Sequence, residues 1–191
     1  IVKPDDTIVL LGDLSWSLDL ADAFADFQWI NNIPGKKIIL KGNHDYWWST
    51  ASKFYDFCKK NDFSDMYILN NNHYVYEDYA ICGTRGWFFD AESENIDKVM
   101  ARECARLQRS IDEAKKLGGE VVVFLHYPPI NILRDCEPIL KVLIDNEITR
   151  CYYGHLHGGA IKGAFNGEKY GIKFHLNSAD YLDFCPLFIN K

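Results

Sequence analysis

Six side chains of the kind that bind divalent cations lie in four separated stretches: Asp13, Asn43, His44, His126, His155 and His157. Asp13 closes IVLLGD, Asn43 and His44 lie in GNHD, His126 follows VVVFL, and His155 and His157 sit in YYGHLHGG. A carboxylate, an amide oxygen and imidazoles, with no thiolate, suit borderline or hard ions such as Mn, Fe or Zn. Two such ions about 3.5–4 Å apart clamp a phosphoryl group and acidify a bridging water. Only a carboxylate offers two anionic oxygens to two cations, so Asp13 is the natural bridge. Asn43 adds a ligand without adding negative charge. In this scheme His126 and His155 complete the shell of one ion and His157 belongs to the other. On an extended stretch His155 and His157 would face one cavity, and Gly154, Gly158 and Gly159 would let the chain turn tightly around them.

His44 is then available as a general acid near the leaving oxygen, with Asp45 or Asp19 as its orienting partner. Arg85, between Gly83 and Gly86, is placed to reach a phosphate as a bidentate donor. Asn43, His44 and Arg85 are the residues expected to meet the substrate. Trp47, Trp48, Trp87, Phe88 and Tyr127 flank the motifs, as core residues or as the floor of a pocket for an organic leaving group. His73 reads as a surface residue and His175 as a structural one.

The elements around these residues follow from apolar patterning. IVLL (8–11), KIIL (37–40), VVVFL (121–125) and CYY (151–153) read as strands buried on both faces. Each ends in one of the metal-competent groups, and in open α/β sheets ligands bind beyond the carboxyl ends of the strands. Helices are expected over 19–33, with Leu20, Phe24, Phe27, Trp29 and Ile30 at broadly helical spacing, over 49–61 behind a Ser49 or Thr50 cap, and over 137–146. The clearest periodicity, Ile96 to Leu117, predicts a helix over 94–117 whose charged residues form a solvated face. Strands are expected at 67–69 and 74–82, and antiparallel strands in AIKGAF, YGIKFHLN and PLFIN. This alternation predicts an α/β domain covering 1–191 whose sheet has helices on at least part of both faces.

Composition narrows the classes. The chain has 191 residues, 48% hydrophobic and 25% charged, with a net charge of −6, an ordinary globular balance. That charge argues against a nucleic-acid surface, except for a small nucleotide as substrate, and against an anionic-membrane binder. No apolar run reaches the roughly 18–20 residues of a membrane helix. The six cysteines lack paired short spacings and are read as reduced structural thiols of a cytoplasmic protein.

Taken together, Gly12-Asp13, Gly42-Asn43-His44-Asp45, His126 and Gly154-His155-Leu156-His157 resemble, in order and spacing, the signature blocks of calcineurin-like metallophosphoesterases. The resemblance implies a four-layer α/β/β/α sandwich and a dinuclear metal site hydrolysing phosphate mono- or diesters by attack of a metal-bridging hydroxide. It assigns Asp13 to the bridge, Asn43, His126 and His155 to one ion, His157 to the other, and His44 to the substrate. The family's opening Asp-x-His strand has no counterpart ahead of Asp13. The expectation is therefore a further strand upstream of Ile1, and weak activity of the chain as it stands. A non-catalytic interaction module on the same fold is the alternative, disfavoured by the intact His44 and His157.

Overall fold

The computed structural model describes residues 2–87 and 96–189. Two sheets, rather than one, carry the strands. The first is parallel, in the order β1 (Thr7–Leu10), β2 (Lys36–Ile39), β3 (Met66–Ile68). The second runs β4 (His73–Tyr76), β5 (Tyr79–Thr84), β6 (Glu120–Leu125), β7 (Arg150–Tyr153), β9 (Ile172–Leu176), β8 (Gly167–Lys169). Its β5, β6, β7 and β9 are mutually parallel, while β4 and β8 are antiparallel additions at the two edges.

Side-chain alternation sorts the layers. Ile38 and Leu40 point into an inter-sheet core with Leu69, Ile81, Val122, Phe124 and Tyr152. The residues between them in sequence point the other way. Ile39 joins Phe27 and Ile30 of α1 (Phe24–Asn31) and Phe54 and Cys58 of α2 (Ala51–Lys60). Val123, Leu125, Cys151 and Tyr153 join Leu107 and Ile111 of α3 (Ile96–Lys115) and Ile139, Leu140 and Leu143 of α4 (Glu137–Asp145). Strands buried on both faces therefore lie at the centre of an α/β/β/α stack, and each fully buried Leu, Ile or Phe stabilises it by about 1.5–3 kcal/mol.

Several expected elements differ. The helix expected from residue 19 begins at Phe24, because the Asp19 carboxylate accepts the N–H groups of Ala21 (2.8 Å) and Asp22 (3.0 Å) and holds a separate turn. Of the apolar residues at helical spacing, Phe27 and Ile30 are buried, whereas Trp29 is 69% exposed. The strand expected over 74–82 is a hairpin, bent where Glu77 takes a left-handed φ of 50°. AIKGAF is not a strand: Gly158–Gly163 wind into a 3-10 helix whose Ile161, with Ala164 three residues on, packs on the outer core. YGIKFHLN does form an antiparallel pair, with Tyr170 and Gly171 both left-handed at the turn, the two-residue geometry that suits strand twist. No strand forms over 186–189. The α3 pattern holds at Met100, Leu107, Ile111 and Ala114, whereas residues 94 and 95 lie outside the described residues. Glu103, assigned to the solvated face, is 1% exposed and accepts hydrogen bonds from Thr84 Oγ1 (2.9 Å) and Arg106 Nη1 (2.5 Å). The Thr50 cap is present, its hydroxyl oxygen accepting the Lys53 N–H at 3.3 Å.

Candidate metal centre

Strand register brings the four motifs together. Leu10 pairs with Ile39, so Asp13 and Asn43 leave the first sheet three and four residues further on. Leu125 pairs with Tyr153, so His126 and His155 leave the second sheet one and two residues further on. Both sets emerge at carboxyl ends, and the site lies between two sheets rather than along one. His126 ties the sheets together: its Nδ1 lies 2.7 Å from the carbonyl oxygen of Leu11.

The two loops of the first sheet touch through their backbones. A Cβ on Gly12 would sit 2.4 Å from the Gly42 nitrogen, and one on Gly42 would sit 2.0 Å from Asp13 Oδ1. Only hydrogen fits at either position. Asp13 itself takes a left-handed φ of 57°, an uncommon conformation for a residue with a Cβ. Asp45 holds it there. This buried carboxylate accepts the N–H groups of Gly42 (2.7 Å), Asp13 (2.8 Å), Leu14 (2.9 Å) and Ser15 (3.3 Å), and Trp47 Nε1 at 2.9 Å. Five donors occupy both of its oxygens, so Asp45 does not orient His44. Asp19 does not either, being engaged in the turn before α1.

Asp13, His126 and His155 each bring one ligand atom within 4.8 Å of the others. The Asn43 carbonyl oxygen stands among them, 2.7 Å from His126 Nε2 and 2.9 Å from His155 Nδ1. Burial holds the His126 imidazole below its ordinary pKa, against the opposing pull of Asp13. Burial, reinforced by His126, pushes His155 down to about 4. Both rings are therefore neutral at pH 7, and the 3.5 Å approach of His126 Nε2 to Asp13 Oδ2 is a contact between candidate ligand atoms rather than an ion pair.

This donor set fits a cation. A neutral His126 that donates Nδ1–H to Leu11 presents only a lone pair at Nε2, facing the lone pairs of Asn43. Acceptors facing one another repel. They are reconciled if the Asn43 amide turns its NH₂ inward, or if a cation sits where the lone pairs converge.

The remaining predicted residues fall around this centre. His155 takes a left-handed φ of 68°, so the stretch expected to be extended is not. His157 is exposed and lies outside the triad. Of the three glycines invoked, only Gly158 adopts a positive φ, at 55°. Arg85 stacks its guanidinium over Trp87, 4.9 Å from the ring centroid, and its charge is felt at His126. Its carbonyl accepts the N–H groups of His126 (3.2 Å) and Tyr127 (2.9 Å). Tyr127 packs against His155 with ring centroids 4.5 Å apart. Trp47 belongs to the core, and Phe88 lies outside the described residues.

His44 donates its backbone N–H to Asp13 Oδ1 at 2.8 Å. Its ring is held by two residues that sequence reasoning passed over: Tyr46 Oη lies 2.9 Å from Nδ1, and Trp16 stacks at 4.0 Å with an interplanar angle of 13°. Tyr46, two residues from His44, is a signal legible in the sequence. Trp16 is not, being 28 positions away (44 minus 16).

His73 is a half-buried member of β4, and His175 stacks on Tyr152 at 4.9 Å within β9. The six cysteines are free thiols. Among the described residues no helix is long and apolar enough to cross a membrane.

No curated protein matches the chain. A solved structure is similar with a TM-score of 0.56 at 13% identity, covering 90% of this chain and 79% of that one. At that identity the likeness speaks to the fold, which is the metallophosphoesterase-like sandwich expected from the motifs. A family model described as calcineurin-like phosphoesterase matches residues 1–159, a stretch containing every motif residue of the site. The chain belongs to the calcineurin-like phosphoesterases, a family of metal-dependent phosphoester hydrolases.

Proposed function

We propose that this protein is a dinuclear metallophosphohydrolase acting on phosphate mono- or diesters, as a phosphatase or phosphodiesterase of the cytoplasm. The observation that carries the reading is the convergence of Asp13, Asn43, His126 and His155 from four strand ends on one point. Two divalent ions of the Mn, Fe or Zn kind would supply the positive charge that clamps a phosphoryl group and would make water a nucleophile at neutral pH. In this scheme Asn43, His126 and His155 would hold one ion, His157 would help hold the other, and Asp13 would serve both. The substrate lies against this charge with Arg85 nearby, which offers a planar pair of N–H donors to phosphate oxygens. Asn43 and His44 flank the same space. His44 passes a proton to the departing oxygen as the P–O bond breaks, a contribution typically of 10²–10⁴-fold.

The test is hydrolysis of a chromogenic aryl phosphate and its diester by the full-length protein with added Mn. Turnover of either, lost by at least about 10²-fold in His44→Asn while metal content is unchanged, supports the reading. Wild-type turnover in His44→Asn would remove the proton donor. No turnover of either ester by protein shown to hold its metal would favour an interaction module.

A further inference from the structure

We propose that Tyr46 and Trp16 are the positioning residues of His44, a role that rests on the general-acid reading above. The two carboxylates expected to orient His44 are engaged elsewhere: Asp45 with five donors around the Asp13 loop, and Asp19 with the turn before α1. Tyr46 Oη is instead the group at His44 Nδ1, 2.9 Å away. Trp16 lies almost parallel to the imidazole, its centroid 4.0 Å off. The two contacts divide the task. In this assignment the hydroxyl accepts Nδ1–H and leaves Nε2 as the nitrogen that exchanges its proton, while the indole fixes the plane in which Nε2 points.

A phenol suits this place for a physical reason. It accepts from Nδ1–H both before and after Nε2 gives up its proton, so the partner does not change during the reaction. The balance is simple. Water releases one proton to solvent and the resulting hydroxide oxygen bonds to phosphorus, the bond from phosphorus to the leaving oxygen breaks, and the Nε2 proton of a doubly protonated His44 ends on that leaving oxygen. Nδ1 keeps its own proton throughout.

Trp16 is 62% exposed and Tyr46 52% exposed. Neither belongs to a core cluster, so fold stability does not account for their placement on His44.

Two measurements test the assignment. The first is the ¹⁵N spectrum of the His44 imidazole in metal-free protein at a pH where the ring is neutral. Wild type is expected to show Nδ1 protonated and Nε2 bare; Tyr46→Phe is expected to show a mixture of tautomers. The same single tautomer in both proteins would overturn the role of the hydroxyl. The second compares esters with 4-nitrophenyl and alkyl leaving groups, in whichever ester class the wild type accepts. A proton donor matters most for the poor leaving group. Tyr46→Phe and Trp16→Ala are each expected to lose about 10–100-fold in kcat with the alkyl ester and about 2-fold or less with the nitrophenyl ester, with Trp16→Phe restoring most of the loss. Equal losses on both esters, or none, in the presence of a leaving-group-dependent loss in His44→Asn, would overturn the positioning role alone. A His44→Asn loss that ignores the leaving group would overturn the general-acid reading and this proposal with it.

Discussion

The carboxylate of Asp45 accepts the backbone N–H of Asp13 at 2.8 Å, so an acid next to the expected proton donor serves the expected metal bridge instead. Four of its five donors are backbone N–H groups of the loops after β1 and β2, and it is 1% exposed. Such a group behaves as a fixed anionic template onto which both loops fold. Asp45→Asn keeps the shape but loses the charge and sets an NH₂ against N–H donors. Hydrogen bonds to charged groups contribute about 1.5–3 kcal/mol each, and outer partners of metal ligands commonly carry 10–100-fold in affinity. The variant is expected to unfold about 2–4 kcal/mol more easily in urea and to bind Mn about 10–100-fold more weakly by calorimetry. Wild-type affinity would show that Asp13 keeps its conformation without this carboxylate.

Gly42 and Gly158 differ in what forbids a side chain. At Gly42 a methyl group would strike the Asp13 carboxylate, whereas at Gly158 it would meet open space and only the backbone φ of 55° resists. Gly158→Ala is expected to cost about 1–2 kcal/mol, the price of a left-handed residue with a Cβ. Gly42→Ala should cost more than that and should abolish metal binding, because Asp13 must move. Urea unfolding and metal content of the two purified variants check the contrast.

His126 has two separable jobs. Its Nδ1 ties the second sheet to Leu11 of the first, and its Nε2 faces Asn43 and Asp13. In metal-free protein His126→Gln is expected to lose about 0.5–1.5 kcal/mol, the net worth of one hydrogen bond. With metal present the loss should be larger, since bound ligand adds RT ln(1 + [L]/Kd), about 2.7 kcal/mol at 100 times Kd. A thermal midpoint gap between wild type and variant that is unchanged by chelator would argue against His126 as a ligand.

Glu120 and Arg150 join the start of β6 to the start of β7 through paired hydrogen bonds, one of them Nε to Oε1 at 2.6 Å. The Arg150 hydrogen bond holds the Glu120 carboxyl below its ordinary range. A depressed folded pKa adds stability that is complete above the unfolded value, about 4.3, and is lost as pH falls through the folded value. Glu120→Gln should therefore be less stable than wild type at pH 6, by a small margin because the pair is partly exposed. The two urea midpoints should converge toward pH 3. A gap of the same size at pH 3 and pH 6 would show that charge contributes nothing.

Much of the candidate site's placement at strand ends was legible because its parts are local. A run of branched residues ending in Gly-Asp, Gly-Asn-His-Asp or His states both that a strand is buried and which polar group leaves its end. The Thr50 cap and the helical spacing of Met100, Leu107 and Ile111 were legible for the same reason. Two of the misses came from longer-range contacts that overrode a local pattern. Glu103 looked like surface until Thr84, on β5, supplied a partner. AIKGAF looked like a strand until Ile161 and Ala164, three residues apart, found the outer core.

Residue order thus decided which side chains could meet at strand ends, because chain direction and two-residue alternation are properties of each segment alone. It could not decide that β1 and β2 belong to one sheet and β6 and β7 to another, since buried strands read alike in either. Nor could it decide that Asp45 turns inward to five donors while Tyr46 and Trp16 take the ring of His44. Those choices depend on which partners come within about 3–4 Å once the sheets are stacked, and hydrogen-bond geometry is settled only at that range.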